Sequence, residues 1–595
     1  MTLRDDEPRD TAAIERPLPP DVQGAAFGSD VVAETLRALD IPYIALNPGA
    51  SFRGLHDSLV NHLGNERPQM LVCLHEESAI AIAHGYAKVT GRAMAAAVHS
   101  NVGLFHATMG LFNAWCDRMP ILTIGATGPV DAAKRRPWID WIHTARDQGA
   151  IVRGYTKWDD QPASPEAARE AIVRAYWIAN TPPHGPTYVV LDAGMQEAPL
   201  AGPVPPLDPA RFAPVVAGGA SPEAIGRTAA MLDAGANIVI LAGRASRRLD
   251  AWNARVALAE KLGARVITDL KVGAAFPTDH PLHAGAPSVL APSEEARAVL
   301  AAADVILSLD WVDLAGTLRA VPGGNAKVIQ VSLDHTVHNG WSMDYQGLAP
   351  ADLFIAADPD SVAGALVQSV SCRGAATRQP DRSSSQTFSE DGPVGVDHLA
   401  MALRAAVGER DVSLLHLPLS WNGAWWPFRH PLDYLGSDGG GGVGGGPGIS
   451  VGAALALMGS GRLPVSICGD GDFLMGATAL WTAVHYRIPL LLVVANNRSY
   501  YNDEVHQERV ARMRNRPVEN KWIGQRMIDP EIDLAGMARA QGALGIGPVT
   551  THEALSLAFA EAIAAVEGGA VAVVDVRVEP GYASAMTQTM LKARE

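Results

Sequence analysis

The sequence of 595 residues is poor in cysteine, which limits the kinds of protein it can encode. Its four cysteines are scattered along the chain and no two of them form a Cys-x-x-Cys pair; they are Cys73, Cys116, Cys372 and Cys468. A disulfide framework or a zinc cage needs cysteines in closer sets than these. We therefore expect a protein of a reducing, cytoplasmic compartment.

The sequence also lacks an excess of positive charge and a long apolar run. The formal net charge is −15 at pH 7, which argues against general nucleic-acid binding and against docking on an anionic membrane. The longest apolar stretch, residues 488–495, is less than half of the ~18 residues that a membrane span requires. Residues 1–25 are rich in charge and proline without an apolar core, so we expect a disordered arm there and no signal peptide.

Apolar residues are abundant enough for large cores, since 48% of the chain is hydrophobic and 19% is charged. The length suggests about three large domains. Short apolar strands alternate with helical stretches in three blocks, which is typical of α/β domains whose parallel sheet is covered on both faces. We expect doubly wound domains at 26–197, 215–370 and 396–585, with a polar linker at 371–395. The predicted strands are 43–46, 70–74, 93–98, 121–125, 187–191, 238–241, 265–268, 305–309, 327–331, 465–468, 490–495 and 570–576.

The most specific motif is Gly469-Asp470-Gly471, which residues 472–495 separate from Asn496-Asn497. Each part directly follows a predicted strand, and open α/β sheets bind ligands at the carboxyl ends of their strands. Asp470 and Asn497 offer hard oxygen donors suited to Mg²⁺. A helix starting near Gly476 is expected to aim its N–H groups at a diphosphate. Either half alone is more often a plain turn or a helix cap, but the combination at this spacing favours a ligand site.

This motif resembles the cofactor motif of the thiamine-diphosphate enzymes of the pyruvate decarboxylase and acetolactate synthase superfamily. The resemblance covers nearly the whole chain, because the three blocks match that family's pyrimidine-binding, central and diphosphate-binding domains. It implies Mg²⁺ ligands from Asp470, Asn497 and the backbone carbonyl of Ser499. The cofactor-binding residues that it implies around them are Gly469, Gly471, Asp472 and Tyr500.

A second signal lies in the first block, where His75-Glu76-Glu77-Ser78-Ala79 opens a helical stretch that Gly91 ends. A glutamate at the start of a helix is commonly a solvated charge that the helix dipole favours. The stretch nevertheless resembles the signature of the family's pyrimidine-binding domain. The resemblance implies that Glu76 hydrogen-bonds the aminopyrimidine ring nitrogen of the cofactor. Glu77 is the competing candidate.

The glycine-rich run at residues 438–448 is the third signal. Such a run is often a flexible linker, but this one continues directly into an apolar helix expected at 449–458. In the family, a Gly-Gly-apolar-Gly stretch precedes that helix and its apolar residue wedges the cofactor rings into a V. The resemblance places Val443 at the wedge, and Gly441 as the carbonyl that meets the aminopyrimidine.

Several histidines indicate which members of this family the chain resembles most. Asn47-Pro48-Gly49-Ala50-Ser51 follows the first predicted strand and His99-Ser100 follows the third. This pattern resembles benzoylformate decarboxylases, in which a serine after Asn-Pro-Gly and the histidine of His-Ser line the substrate pocket. Ala50 occupies the serine position here, with Ser51 beside it. The resemblance implies a substrate pocket formed by Ala50, Ser51, His99 and Ser100, with His99 as a proton shuttle. His506, after the metal motif, is a second shuttle candidate, and His106 a weaker one.

The resemblance implies a thiamine-diphosphate- and Mg²⁺-dependent enzyme that makes or breaks a C–C bond next to a carbonyl. Our first hypothesis is a 2-oxoacid decarboxylase or carboligase. The alternatives are an acetolactate-synthase-like ligase, a hydrolase of 1,2-diketones, or a cofactor-binding scaffold without catalysis. The central block ends a strand in Gly243-Arg244 without a Gly-x-Gly-x-x-Gly fingerprint, so FAD and a dehydrogenase are not expected. The family also implies a homodimer with shared sites, usually paired into a homotetramer.

Overall fold

The computed structural model describes residues 14–18, 24–205, 207–290, 292–321, 324–334, 348–373 and 392–581. These residues form three α/β domains, each built on one sheet whose strand pairs are all parallel. The predicted fold class is therefore confirmed. The first sheet has six strands in the order β2-β1-β3-β4-β6-β5, the second five in the order β11-β10-β9-β7-β8, and the third five in the order β12-β13-β14-β16-β15.

The first domain contains strands β1 to β6 and helices α1 to α7. The strands are β1 Tyr43–Leu46, β2 Gln69–Val72, β3 Met94–Ala97, β4 Ile121–Thr127, β5 Asp159–Asp160 and β6 Pro186–Asp192. The helices are α1 Gly28–Ala38, α2 Arg53–Asp57, α3 Glu76–Thr90, α4 Asn101–Asp117, α5 Ile139–Ile142, α6 Pro165–Ala179 and α7 Ala193–Glu197.

The second domain is smaller. Its strands are β7 Ile238–Ala242, β8 Arg265–Ile267, β9 Val305–Leu309, β10 Lys327–Val331 and β11 Leu353–Ile355. Its helices are α8 Pro222–Ala234, α9 Leu249–Leu262, α10 Glu294–Ala301, α11 Leu314–Arg319 and α12 Pro359–Ser369.

The third domain carries the glycine-rich run and the Gly-Asp-Gly motif. Its strands are β12 Val412–His416, β13 Leu463–Gly469, β14 Leu490–Asn496, β15 Leu544–Val549 and β16 Val571–Arg577. Its helices are α13 Val396–Val407, α14 Gly445–Leu457, α15 Asp470–Gly476, α16 Ala479–His485, α17 Tyr501–Met513, α18 Leu534–Ala540 and α19 His552–Glu567. Within the described ranges of the chain, no helix combines the length and the apolarity that a membrane span would require.

Successive residues of a strand point to opposite faces of its sheet, so a sheet covered on both faces must be apolar on both. Strand β1 shows this directly, because Ile44 and Leu46 belong to one buried cluster and Ala45 to another. The same alternation occurs in β13, where Ile467 and Cys468 lie in different clusters. One cluster joins residues of α3 and α4 to residues of α14 and α16, so the first and third domains share a core.

Helices α3 and α14 cross at very close range. A Cβ on Gly85 would overlap the carbonyl oxygen of Ile449, and a Cβ on Gly452 would overlap that of Ile82. Only glycine lets the two backbones approach this closely. This contact fixes the start of α3, which carries Glu76, relative to the glycine-rich run of the same chain.

Several predicted segments lie partly outside the described residues. Of the arm at 1–25, the structure describes 14–18 and 24–25, and there Glu15 accepts a hydrogen bond from the hydroxyl of Tyr486 at 2.8 Å. Glu15 thus contacts the third domain. Most of the linker predicted at 371–395 and the end of the third domain lie in the undescribed segments 374–391 and 582–595.

Candidate active site

The Gly-Asp-Gly and Asn-Asn motifs meet at one edge of the third sheet. Strands β13 and β14 are parallel neighbours, with Gly469 paired to Ala495. Asp470 and Asn497 therefore follow adjacent strand ends, and both line one cavity of about 490 Å³. Gly469, Gly471, Ser499 and Tyr500, which the sequence also indicates, line the same cavity.

Asp470 is 4% exposed, and its two oxygens have different surroundings. Oδ1 accepts the N–H of Gly471 at 2.8 Å, whereas Oδ2 is buried without a hydrogen-bond partner among the described residues. Burial raises the pKa of Asp470 to about 6, against the backbone N–H groups that stabilise the carboxylate. A buried carboxylate oxygen without a donor is costly unless a cation binds it. This atom fits a metal ligand.

The structure corrects the predicted helix start. Helix α15 begins at Asp470 and ends at Gly476, so the expected start near Gly476 is wrong. Its first turn carries Asp470 and Asp472, and acidic residues there are favoured by the helix dipole. The helix thus starts at the motif itself.

Asn497 and Ser499 form a turn beside Asp470. Oδ1 of Asn497 accepts the N–H of Ser499 at 2.8 Å, and the Ser499 hydroxyl donates to Glu504 at 2.5 Å. Arg526 donates to the same glutamate at 2.8 Å, which anchors the turn. The donor set consists of carboxylate, amide and carbonyl oxygens, which is the chemistry Mg²⁺ prefers.

The glycine-rich run closes the cavity on another side and is held at three points. Asn113 of α4 bonds both groups of Gly442, accepting its N–H at 3.3 Å and donating to its carbonyl at 3.5 Å. Oδ1 of Asp472 accepts the N–H groups of Gly444 at 2.7 Å and Gly446 at 3.2 Å. Lys88, itself paired with buried Asp117, donates to the carbonyl of Ser437 at 2.7 Å.

Val443 is held between these points, 44% exposed, and its side chain lies against the cavity together with Gly441. The loop exposes the apolar side chain of Val443 to the cavity. The space over Val443 therefore suits a ligand with an apolar face. Asp472 contributes to the site by fixing this loop with Oδ1, while its Oδ2 is buried without a hydrogen-bond partner in the described structure.

The predicted residues of the first domain lie in a separate cluster. His75 caps helix α3 with its side chain, and Gly91 ends the helix in the left-handed conformation at φ 67°. Glu76 is 7% exposed, and its Oε2 lies 3.1 Å from Nδ1 of His106. Glu77 instead lies near Asp472: burial and the Asp472 charge raise the pKa of Glu77. The two neighbouring glutamates thus face different surroundings.

His99 lies at the end of β3 beside Glu76. Its Nδ1 is 2.7 Å from the hydroxyl of buried Ser51, and that hydroxyl accepts the N–H of Ser100 at 3.1 Å. Ala50 is exposed and makes no such contact in the described structure, so Ser51 takes the position next to the histidine. Burial, followed by the neighbouring His143, lowers the pKa of His99, and Glu76 opposes this shift. The ring is therefore neutral at neutral pH.

The structure does not bring every candidate together. Glu76, Ser51 and His99 do not line the cavity that contains Asp470, so the predicted residues form two separate clusters within one chain. His506 is exposed on α17 and, among the described residues of that helix, the cavity is lined by Tyr501, Asn502 and Asp503 instead. The structure thus does not place His506 in either cluster.

Two residues at the site were not singled out individually by the sequence. His143 packs edge-on against His99 with 4.7 Å between ring centroids, although 43 residues, 100–142, separate the two histidines in the chain. Strands β3 and β4 are neighbours, so topology alone brings the two segments together. Asn113 is the second, since no sequence signal indicates that its amide clamps Gly442.

Three family models of known proteins match the chain in order. They are the thiamine pyrophosphate enzyme N-terminal TPP binding domain at residues 27–151, the central domain at 225–366 and the C-terminal TPP binding domain at 419–576. A probable 2-ketoarginine decarboxylase of Pseudomonas aeruginosa is 26% identical over 460 residues, covering 75% of this chain and 77% of the relative. A benzoylformate decarboxylase of the same organism is 25% identical over 450 residues, covering 72% and 78%.

The fold is likewise that of a solved benzoylformate decarboxylase, from Polynucleobacter necessarius. That structure superposes with a TM-score of 0.79 at 21% identity, covering 94% of this chain and 100% of the other. All three domains of the chain are therefore accounted for by one family, in the family's own order. The chain belongs to the thiamine pyrophosphate (thiamine diphosphate) enzymes.

Proposed function

We propose that this chain is a thiamine-diphosphate- and Mg²⁺-dependent 2-oxoacid decarboxylase with carboligase capacity. The observation that carries the proposal is a pair of separate residue clusters, and we infer that each supplies one half of a site, called a half-site below. One contains the unpartnered Oδ2 of Asp470 in a cavity lined by Asn497 and Ser499. The other contains buried Glu76 beside the Ser51–His99 pair.

The residues of the cavity fit a diphosphate with its metal. Asp470, Asn497 and the carbonyl of Ser499 would hold Mg²⁺, since hard oxygen donors suit this ion. Gly469, Gly471 and Tyr500 would lie along the diphosphate, with Gly441 and Val443 against the rings. Thiamine diphosphate would supply a thiazolium carbanion as the nucleophile for the 2-oxo carbon, and a cationic ring as the sink for the electron pair left behind when CO₂ departs.

The chain's own residues would then orient the substrate and manage its protons. Glu76 would accept a hydrogen bond at its carboxylate from the pyrimidine ring nitrogen in the imino tautomer of the cofactor, in which that nitrogen carries a hydrogen. Ser51 and neutral His99 would bind the substrate next to the reacting carbon, and His99 would deliver or take a proton there through Nε2. The names of two relatives, a probable 2-ketoarginine decarboxylase and a benzoylformate decarboxylase, favour a 2-oxoacid as substrate.

The separation of the half-sites supports a shared site between two chains. Because one extended cofactor must meet both Glu76 and Asp470, each chain would supply one half to a site completed by its partner. We propose a homodimer with two such sites as the minimum active unit, and a homotetramer as its assembled form. A second copy of the chain is then a required partner of the active protein.

A turnover screen tests this proposal. The purified protein with Mg²⁺ and thiamine diphosphate is given pyruvate, branched and aromatic 2-oxoacids, a guanidino-substituted 2-oxoacid and 1,2-diketones, and CO₂ and products are recorded. CO₂ with an aldehyde is the expected result. A 2-hydroxy-2-alkyl product from two 2-oxoacids would indicate the ligase alternative, and diketone cleavage without CO₂ the hydrolase. Tight cofactor binding without any turnover would indicate the scaffold.

A further inference from the structure

His106 is bonded to the carboxylate of Glu76, although it lies 30 positions further along the chain, in helix α4. Its Nδ1 is 3.1 Å from Oε2. The Glu76 side chain is 9% exposed whereas that of His106 is 60% exposed, so the imidazole covers a buried acid from the solvent side. Among the described side chains, His106 is the one that hydrogen-bonds this carboxylate.

The direction of this bond follows from its acceptor. A carboxylate can only accept, so Nδ1 of His106 carries the hydrogen, and a bond to an ionised acceptor is stronger than one between neutral groups. The other oxygen, Oε1, faces the space beside Gly103, where a Cβ would come within 2.9 Å of it. The carboxylate is thus held by Oε2, and Oε1 has no hydrogen-bond partner among the residues that the structure describes.

The His106 ring is itself held in place by His75. The two rings stack with 5.0 Å between centroids and 12° between planes. His75 is fixed in turn, because its Nδ1 accepts the N–H of Glu77 at 3.2 Å. Burial, followed by the proximity of His106, lowers the pKa of His75, and Glu76 opposes the shift. A neutral His75 lets the two rings stack without repulsion.

We propose that His106 is a positioning residue for Glu76. It holds Oε2, sets the rotation of the carboxylate and leaves Oε1 as the acceptor for the pyrimidine ring nitrogen of the cofactor. The inference rests on the proposed role of Glu76. His106 acts through Glu76 and not on the substrate, so its effect must depend on the Glu76 carboxylate.

Cofactor affinity tests this dependence without measuring turnover. The dissociation constant of thiamine diphosphate with Mg²⁺ is measured by tryptophan fluorescence for a matched pair, His106→Asn and His106→Leu. The two replacements are similar in size, but only asparagine places an amide donor near the position of Nδ1. We expect about 10- to 100-fold weaker binding for His106→Leu and most of the affinity restored in His106→Asn. His106→Phe, which keeps a stacked ring without the donor, should resemble His106→Leu.

The same substitutions are then made in Glu76→Leu protein, whose side chain at this position has no acceptor oxygen. Here His106→Leu and His106→Asn should bind the cofactor equally, because the acceptor is gone. An equal loss for His106→Leu in both backgrounds, or no difference between the Leu and Asn variants in the parent, overturns the proposal. A cofactor analogue with CH in place of the pyrimidine nitrogen distinguishes a failure of the His106 proposal from a failure of the proposed role of Glu76. If Glu76→Gln leaves the preference for cofactor over analogue unchanged, it is the proposed role of Glu76 that fails.

Discussion

The hydroxyl of Ser51 lies 2.7 Å from Nδ1 of His99. Because the same oxygen already accepts the N–H of Ser100, its own hydrogen is free to point at the imidazole. His99 then accepts at Nδ1 and carries its proton on Nε2, with its edge against His143. A short serine side chain thus fixes both the tautomer and the orientation of His99.

The first prediction concerns the titration of His99. Its pKa is lowered by burial and by His143, so the ring stays neutral until the pH falls below the ordinary histidine value of 6.5. In an NMR titration of histidine C2 resonances assigned with His99→Gln, the midpoint should lie below 6.5. Ser51→Ala removes the donor that favours the neutral ring and should raise the midpoint. A parent midpoint at or above 6.5 contradicts the arrangement.

The second prediction concerns turnover. If His99 moves a proton during the reaction, His99→Ala should lower kcat by about 10²- to 10⁴-fold with cofactor affinity unchanged. His506→Ala, at an exposed position of α17, should stay close to the parent. The opposite ranking of the two variants in steady-state kinetics would place the proton relay on α17.

The third prediction separates the two neighbouring glutamates. Burial and the charge of Asp472 raise the pKa of Glu77, so its ionised form opposes folding at neutral pH and the stabilising proton is gained as the pH falls. Glu77→Gln should therefore raise, or at least keep, the melting temperature at pH 7 and retain turnover. Glu76→Gln should lower turnover by orders of magnitude. Loss of turnover in Glu77→Gln alone would show that Glu77 is the cofactor's partner.

The fourth prediction concerns the crossing of α3 and α14. Gly85→Ala and Gly452→Ala force a Cβ against a backbone carbonyl of the other helix, which should cost about 1–3 kcal/mol of unfolding free energy or more. Gly226→Ala, in the middle of α8 with open space at its Cβ, is the matched control and should gain about 0.5–1 kcal/mol. Denaturant unfolding measures all three variants. Equal stability of the two crossing variants and the parent would contradict the packing.

Much of the fold is predictable because apolar strands that end in glycine, asparagine or histidine are clear local signals. All twelve predicted strands correspond to observed ones. The two-residue strand β5, Asp159–Asp160, has no apolar residue, and β15 contains two glycines and a proline. Both are edge strands: β5 pairs with β6 and β15 pairs with β16. Pairing with the neighbouring strand, and not its own composition, therefore makes each of them a strand.

Helix starts at the site were harder to predict than strands. Helix α14 begins at Gly445, inside the glycine-rich run, where propensity opposes a helix. Tertiary contact decides the outcome, since Gly448 packs so closely on Ala81 that a Cβ there would come within 2.6 Å of its side chain. The residues of the candidate site were indicated by motif, but their division into two clusters depends on how the domains pack and is absent from any local pattern.

The central claim is that Glu76 of one chain and Asp470 of another complete one site, and a complementation experiment tests it most directly. Glu76→Gln and Asp470→Ala chains, each inactive alone, are mixed under conditions in which subunit exchange is verified by native mass spectrometry. A mixed dimer contains one site with both residues intact, so 2-oxoacid turnover dependent on thiamine diphosphate and Mg²⁺ should reappear. If mixed dimers form and no activity returns, the two half-sites do not meet between chains and the account is wrong.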